Sequence, residues 1–323
     1  MFLRPLFARS LPPLAPAWPA VRAVWPPSSS GFDAHPGACP PRGWPCPSLW
    51  IWRGFVSSPA DCGQPSPETH PELLAPGEVT PGISAAEYAA RRSALLALLP
   101  PRSVALLPAA PPVYMAGVIP YPYRQDADFA YLTGCLQPGG VAVLEKRGGA
   151  DGARFAMFMP PRDVVRERWD GPLADSSAAL SLFGADEAPR LEQLGGHVAT
   201  LLSAGVQLFY DGRAADPGLH RVLPALGRAL EQGLVRPLRP LVHRLRWKKS
   251  SAEIERMRAV SAVTAAAFKE GMRVSLESRH EHAVAAAFEY ECKRRGAQRM
   301  AYPPVVGAGR NGCCIHYSRH DKQ

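Results

Sequence analysis

Four short apolar runs alternate with turn residues in the middle of the chain, and glycine or proline bounds each of them. The runs are Val104–Leu107, Val141–Leu144, Phe155–Met159 and Gln207–Tyr210. Apolar runs of this length between turn residues are typical of strands. The pattern therefore predicts a largely buried sheet.

Helical spacing alternates with these runs. Ser84-Ala-Ala-Glu87 has the form of a capping box, and it opens a predicted helix whose apolar face is Tyr88, Leu95 and Leu99. The segment Leu191–Leu202 is also helix-like. Strands that alternate with helices predict an α/β domain, which we place at residues 63–240.

A basic segment, residues 236–249, separates this domain from a more strongly helical region. We interpret it as an interdomain connection rather than a continuous helix, because it contains two prolines. Ser250 and Ser251 then cap a long amphipathic helix whose predicted inner stripe is Ile254, Met257, Thr264, Phe268 and Met272. A second helix is predicted from Ser278 to Arg295, followed by a strand-like segment with a glycine-rich turn, AYPPVVGAGRNG. Residues 241–323 therefore predict the start of a second domain.

The first 62 residues have a different composition. Fifteen of the 36 prolines precede Glu68, and such segments have poor prospects of a packed core. Arg4, Arg9 and Arg22 occur before the first acidic residue, which is typical of a mitochondrial presequence. Arg53-Gly54-Phe55 has the form of a matrix-peptidase cleavage site. We therefore expect residues 1–62 to be a presequence and disordered segment, and the protein to be mitochondrial.

Overall composition excludes several classes of protein. No stretch approaches twenty consecutive apolar residues, which argues against a membrane span. The seven cysteines are too scattered for a disulfide scaffold. A net charge of +9 permits a polyanionic partner, but only Trp247 interleaves with the basic residues of 236–249. We therefore expect no nucleic-acid partner.

Few residues suggest chemistry by themselves. In His280-Glu281-His282, helical geometry would turn the two imidazoles about 200° apart, so we predict surface histidines rather than a metal site. Asp126 and Asp128 suit a carboxylate pair or ordinary turn positions equally well.

Cys313 and Cys314 suggest a thiol nucleophile, although buried structural thiols are the commoner case. The sequence contains no Gly-x-Ser-x-Gly elbow, P-loop or dinucleotide fingerprint. Composition and spacing alone predict a two-domain α/β protein with one notable histidine, His316.

Four strings in a fixed order are more specific. They are YPYRQDADFAYLTG (121–134), RERWDGPLAD (166–175), KKSSAEIERM (248–257) and AYPPVVGAGRNGCCIHY (301–317). Together they resemble the X-Pro aminopeptidases of the creatinase-like family, and residues 63–84 resemble its mitochondrial members. The resemblance covers about residues 63–323. It implies the α/β fold class: a creatinase-type amino-terminal α/β domain, then the incomplete start of an α+β pita-bread catalytic domain at residues 241–323.

The resemblance also implies an activity. Members of this family remove the amino-terminal residue from peptides with proline at the second position. Two Mn²⁺ ions per subunit polarise the carbonyl and generate the attacking hydroxide. The implied partners are such a peptide and further copies of the chain, bound through the amino-terminal domain.

Three site residues follow from the resemblance. His316 would be catalytic, hydrogen-bonding the substrate at the reacting centre. Tyr302 would line the substrate site, and Trp169 would line the proline pocket of a neighbouring subunit. Each residue also has a packing alternative: Trp169 as a core aromatic, Tyr302 as a packed strand residue and His316 as a buried, hydrogen-bonded histidine.

The family's metal ligands are two Asp, one His and two Glu, and all follow the Ile-His-Tyr motif. The only Asp after His316 in this sequence is Asp321. We therefore expect that the chain as given lacks the metal ligands and does not catalyse alone. Two alternatives are a non-enzymatic dimerisation or binding module that keeps the amino-terminal domain, and a gene-model error.

We predict that residues 1–55 direct import and are removed. When residues 1–62 are fused to a fluorescent protein, fluorescence should co-localise with mitochondria and the fusion should be shortened. A matched fusion with Arg4, Arg9 and Arg22 changed to Gln should stay cytosolic. Cytosolic fluorescence from the unmutated, unprocessed fusion would contradict the prediction.

Overall fold

The computed structural model describes residues 61–148, 152–211, 219 and 223–319. The predicted presequence therefore lies outside the described residues except for Asp61 and Cys62. None of the described helices has the length and apolar character needed to cross a membrane.

The described chain alternates helices and strands. The strands are β1 Glu78–Thr80, β2 Ile83–Ser84, β3 Ser103–Pro108, β4 Tyr114–Ala116, β5 Ile119–Pro120, β6 Val141–Lys146, β7 Ala153–Phe158, β8 Gln207–Phe209 and β9 Val235–Arg236. The α-helices are α1 Ala85–Leu98, α2 Ala127–Thr133, α3 Val164–Asp170, α4 Ser176–Ser181, α5 Leu194–Ser203, α6 Pro224–Glu231, α7 Arg239–Trp247, α8 Ser251–Glu277 and α9 Glu281–Arg294.

A five-stranded sheet forms the centre of the first domain, in the order β7-β6-β3-β8-β9. Strands β7, β6 and β3 are antiparallel, whereas β3, β8 and β9 run parallel. The four predicted apolar runs correspond to β3, β6, β7 and β8, so this part of the prediction is confirmed.

Both faces of the sheet are covered. Alternate residues of a strand point to opposite faces. In β3, Ala105 and Leu107 join a core cluster with residues of α1, α2, α4 and α7. Val104 and Leu106 join a second cluster with residues of α5 and α6. Burial on both faces explains why the strands read as continuous apolar runs rather than as an alternation.

The basic segment that we predicted to be a connection is instead largely helical, as α7. Pro240 lies in the first turn, where its missing N–H breaks no helical hydrogen bond. Val242 is fully buried against the sheet, and Arg246 donates to Asp128 at 2.5 Å. Two prolines were therefore insufficient evidence against a helix, because one of them occupies the position that a helix tolerates.

The predicted helices after residue 250 are present, and the large residues of the predicted apolar stripe are exposed among the described residues. α8 begins with a complete capping box between Ser250 and Glu253. Its buried residues are Ala267 and Gly271, where α9 packs, whereas the large stripe residues are exposed: Ile254, Met257, Phe268 and Met272. α9 covers only the strip of α8 that contains these small residues, and small residues permit the closest approach. Phe268 makes an edge-to-face contact with Phe288 of α9 at 5.0 Å.

No strand occurs in residues 297–319, so the predicted strand at AYPPVVGAGRNG is also wrong. This part of the chain is extended or turned, and it contains one 3₁₀ helix, Gly309–Cys313. Its backbone is held by side chains rather than by a neighbouring strand.

A buried arginine joins the first domain to the start of α8. Arg91 of α1 is 8% exposed and pairs with both Glu87 and Glu253, the latter at 3.4 Å. Arg91 also donates to the Tyr131 carbonyl at 3.2 Å. Glu87 in turn accepts a hydrogen bond from the Ser250 hydroxyl at 2.7 Å. We call these four side chains, Glu87, Arg91, Ser250 and Glu253, the junction cluster.

The junction cluster explains why only half of the first predicted capping box forms. The Ser84 hydroxyl accepts from the Glu87 amide at 3.2 Å, as predicted. The Glu87 carboxylate instead turns to Arg91 and Ser250.

We predict that Arg91→Ala lowers the free energy of unfolding of residues 61–323 by about 3–5 kcal/mol, because it leaves two partly buried carboxylates without their cation. Urea denaturation measures the change. Arg258→Ala is the control: it removes an exposed ion pair between Arg258 and Glu255, both in α8. It should lower the free energy of unfolding by about 0.5 kcal/mol or less. Equal, small losses for both variants would contradict the prediction.

A buried carboxylate joins the sheet to α5 through a hydrogen bond. Glu145 of β6 is 5% exposed, and its Oε1 lies 2.9 Å from His197 Nε2. Its Oε2 lies 3.2 Å from Arg147 Nε. The hydrogen bond with His197, assisted by Arg147, lowers the pKa of Glu145 from its ordinary 4.5 despite the opposing effect of burial.

This lowered pKa makes a pH-dependent contribution to stability. A carboxyl whose pKa is lower in the folded protein stabilises it above the unfolded pKa and loses that contribution as pH falls through the folded value. We therefore predict that Glu145→Gln destabilises the fold at pH 7 and that the difference shrinks as pH falls below about 4.5. Glu192→Gln, at an exposed position, is the control. A difference that does not vary with pH would contradict the assignment.

Candidate functional site

The segment after α9 folds back onto the beginning of that helix. Glu281, the first residue of α9, is 3% exposed. Its carboxylate accepts hydrogen bonds from the Ala308 amide at 2.6 Å, from Asn311 Nδ2 at 2.7 Å and from the Tyr317 hydroxyl at 2.5 Å. We call residues 308–317 the His316 loop. One carboxylate therefore holds both ends of this loop.

The loop is closely packed where it turns. A Cβ atom at Gly307 would lie 2.8 Å from the Asn311 carbonyl carbon, so only glycine fits there. Tyr317 is buried at the end of the loop, whereas His316 next to it is exposed. The anchoring residues thus point inward and the imidazole points to solvent.

Tyr302 lies before the loop and is 72% exposed. The neighbouring Ala301 carbonyl accepts a hydrogen bond from Arg124 Nη1 at 2.7 Å. This bond ties the beginning of the segment to the first domain, at the string YPYRQDADFAYLTG that the sequence singled out.

Trp169 lies in α3, and its side chain is 87% exposed. Among the described residues, no hydrogen bond or ring contact joins Trp169, Tyr302 and His316. The packing alternatives for all three are wrong: Trp169 is not in the core, Tyr302 is not in a strand, and His316 is not buried. Each of the three predicted site residues faces solvent.

The candidate carboxylate pair, Asp126 and Asp128, contacts groups that stabilise the fold. Asp126 is the N-cap of α2, accepting from the Asp128 and Phe129 amides at 2.9 Å. Asp128 pairs with Arg246 at 2.5 Å and lies 3.6 Å from His243. The two aspartates therefore serve helix capping and ion pairing.

The adjacent cysteines are exposed, so the expectation of buried thiols is wrong. His280 and His282 are surface residues, as predicted, but their rings are neighbours at 5.4 Å rather than on opposite sides. Helical geometry fails here because His280 is the extended N-cap residue of α9.

The described residues do not fit a metal centre. No three or more His, Cys, Asp or Glu side chains in residues 61–148, 152–211, 219 and 223–319 converge so that they could hold an ion. Glu281, which binds the loop that carries His316, is directed at hydrogen-bond donors of the protein. No step through a metal is therefore assigned to these residues.

Comparison with known proteins identifies both parts of the chain. Residues 88–209 match the model of the aminopeptidase P amino-terminal domain, and residues 255–323 match the model of metallopeptidase family M24. The chain is 41% identical over 266 residues to intermediate cleaving peptidase 55, mitochondrial, of Arabidopsis thaliana, covering 81% of this chain and 52% of that protein. It is 38% identical over 274 residues to human Xaa-Pro aminopeptidase 3, covering 80% and 54%.

A solved structure is also similar to this chain. Aminopeptidase PepP of Pseudomonas aeruginosa superposes with a TM-score of 0.65 at 35% identity, covering 74% of this chain and 55% of that chain. Both parts of the chain are therefore similar to aminopeptidase P proteins. The chain spans about half the length of the relatives it matches.

These matches confirm the resemblance drawn from the four sequence strings. They also confirm the fold class, since the amino-terminal α/β domain precedes the start of an M24 domain. M24 is a metallopeptidase family, so a divalent metal belongs to its chemistry.

The interpretation of the sequence missed Glu281 and the junction cluster. Glu281 drew attention only as the centre of a possible metal motif. Its position in the first turn of a predicted helix is an ordinary one for a carboxylate. Its three partners follow 27 to 36 residues later, so no local signal could identify it.

Proposed function

We propose that this sequence supplies the amino-terminal domain and the opening of the catalytic domain of an X-Pro metalloaminopeptidase. Such an enzyme removes the amino-terminal residue from peptides that carry proline at the second position. The observation that carries the proposal is the succession of the two family matches in one chain, at 88–209 and 255–323. The relatives named Xaa-Pro aminopeptidase support the substrate class.

We assign His316 the role of hydrogen-bonding the substrate at the reacting centre. Two features support the role. The imidazole is exposed, so a bound peptide can reach it. The loop that carries it is held at Ala308, Asn311 and Tyr317, which fixes its backbone on both sides. A positioned donor of this kind stabilises charge that develops on the substrate in the transition state.

Tyr302 and Trp169 would contribute to peptide binding. Tyr302 is exposed in the same segment as His316. Trp169 would line the proline pocket of a neighbouring subunit, and its 87% exposure suits a side chain that is covered only in an assembly.

We further propose that the amino-terminal domain associates with other copies of the chain. The β4–β5 hairpin supports this, because its large apolar side chains are exposed: Val113, Tyr114, Met115, Val118 and Ile119. A contiguous exposed apolar segment of this kind is typical of an interface.

The proposed enzyme is mitochondrial and uses two Mn²⁺ ions. The name of the Arabidopsis relative includes the mitochondrion. The described residues do not form a metal centre, so we propose that residues 1–323 alone are not catalytic.

We predict that the chain alone, supplied with Mn²⁺, releases no amino-terminal residue from an Xaa-Pro peptide. A fusion that continues after Tyr317 with the corresponding carboxy-terminal part of human Xaa-Pro aminopeptidase 3 should release it, and a chelator should stop the release. In the fusion, His316→Gln should lower kcat/KM about 100-fold or more. His70→Gln, at an exposed position of the first domain, is the control and should leave kcat/KM unchanged.

Two outcomes would contradict this proposal. One is chelator-sensitive turnover by residues 1–323 alone. The other is a folded fusion that binds Mn²⁺ but does not cleave the peptide.

A further inference from the structure

We infer that Glu281 is a positioning residue that sets the conformation of the His316 loop. This inference rests on the proposed function for the role of His316, but its structural part stands on the described contacts alone. Glu281 is neither adjacent to His316 in sequence nor exposed to a substrate. It acts through the three groups that it binds.

The geometry of these contacts supports the assignment. The two carboxylate oxygens bind different parts of the loop. Oε1 accepts hydrogen bonds from the Ala308 amide and Asn311 Nδ2, and Oε2 accepts one from the Tyr317 hydroxyl. Oε1 thus fixes the 3₁₀ helix, whereas Oε2 fixes the residue that directly follows His316. The Glu281 carboxylate therefore connects these two regions of the loop.

Charge makes the arrangement stronger than a neutral one. Hydrogen bonds to an ionised carboxylate are shorter and roughly twice as strong as bonds between neutral groups. Glu281 also lies at the N-terminus of α9, where the helix dipole favours a negative charge. A glutamine has the same shape but keeps only one accepting oxygen, and its amide group would face a donor.

The role is distinct from general stabilisation of the domain. The three hydrogen bonds described above all go to residues 308–317, and none of the three goes to the central sheet. Loosening them should release the loop and the orientation of His316 while the sheet and α1 remain folded. Local exchange and the signal of the His316 imidazole therefore report on the assignment better than global stability does.

The first experiment compares the full chain with its Glu281→Gln, Tyr317→Phe and Glu289→Gln variants by amide hydrogen exchange. Glu281→Gln should speed exchange of the amides of residues 308–317 by about 10- to 100-fold, with a smaller increase for Tyr317→Phe. Amides of β3 and β6 should be unaffected. Glu289→Gln is the same substitution in the same helix, at a residue whose only described ion pair is a 3.8 Å contact with Lys293, and it should change neither region.

The second readout is the imidazole resonance of His316 in histidine-labelled protein, assigned with a His316→Gln variant. Glu281→Gln and Tyr317→Phe should shift or broaden this resonance and leave that of His197 in place. If the Glu281→Gln variant does not fold, the loop exchange and the His316 resonance of the Tyr317→Phe variant still test the assignment. Unchanged loop exchange and an unchanged His316 resonance in a folded variant would overturn the assignment.

The active fusion separates this inference from the proposed function. A lower kcat at nearly constant KM in the Glu281→Gln fusion, with Glu289→Gln unchanged, supports a positioning role. A fusion that is inactive with Glu281 intact overturns the proposed function but leaves the exchange results as the test of the loop. If Glu281→Gln changes neither the kcat nor the KM of an active fusion, the positioning role alone is overturned.

Discussion

One buried guanidinium, that of Arg91, holds the beginning of α8 on the amino-terminal domain. A charge that is removed from water is costly unless it is paired and hydrogen-bonded. Arg91 meets this requirement with Glu87 of its own helix, Glu253 of α8 and the Tyr131 carbonyl, and it lies 4.3 Å from the centre of the Tyr131 ring. Because Glu253 and Ser250 also form the capping box of α8, the same contacts fix where that helix begins.

The position of the His316 loop follows from this constraint. α8 packs on α9 through Ala267 and Gly271, and the first residue of α9 is Glu281, which binds the loop. Arg124 adds a second tie from the amino-terminal domain to Ala301. The exposed imidazole is therefore connected to the central sheet by a continuous series of packed helices and charged hydrogen bonds. For the proposed role of His316, such a series would keep the imidazole in place relative to the amino-terminal domain.

The sequence predicted the strands and helices better than it predicted which residues contact one another. The strands β3, β6, β7 and β8 were predictable because burial on both faces leaves unbroken apolar runs. The long helix α8 was predictable from its spacing, but spacing alone does not reveal which side has a neighbour in the described chain, where Ile254 and Met257 are exposed. Burial of Arg91 and Arg92 was not predictable, since their partners are distant in sequence. Arg92 bonds to the Leu132 and Gly184 carbonyls, and burial lowers its pKa to about 10. Composition could single out His316 but could not give it a role, which the family resemblance supplied.

A double-mutant cycle on Arg91 and Glu253 tests most directly whether one buried arginine joins the two parts of the chain. Unfolding free energies would be measured for the unmutated residues 61–323, for Arg91→Met, for Glu253→Gln and for the double variant. Residues that share a buried ion-pair network are coupled, so the two losses should fail to add by about 1 kcal/mol or more. Additive losses, within about 0.3–0.5 kcal/mol, would contradict this account of the junction.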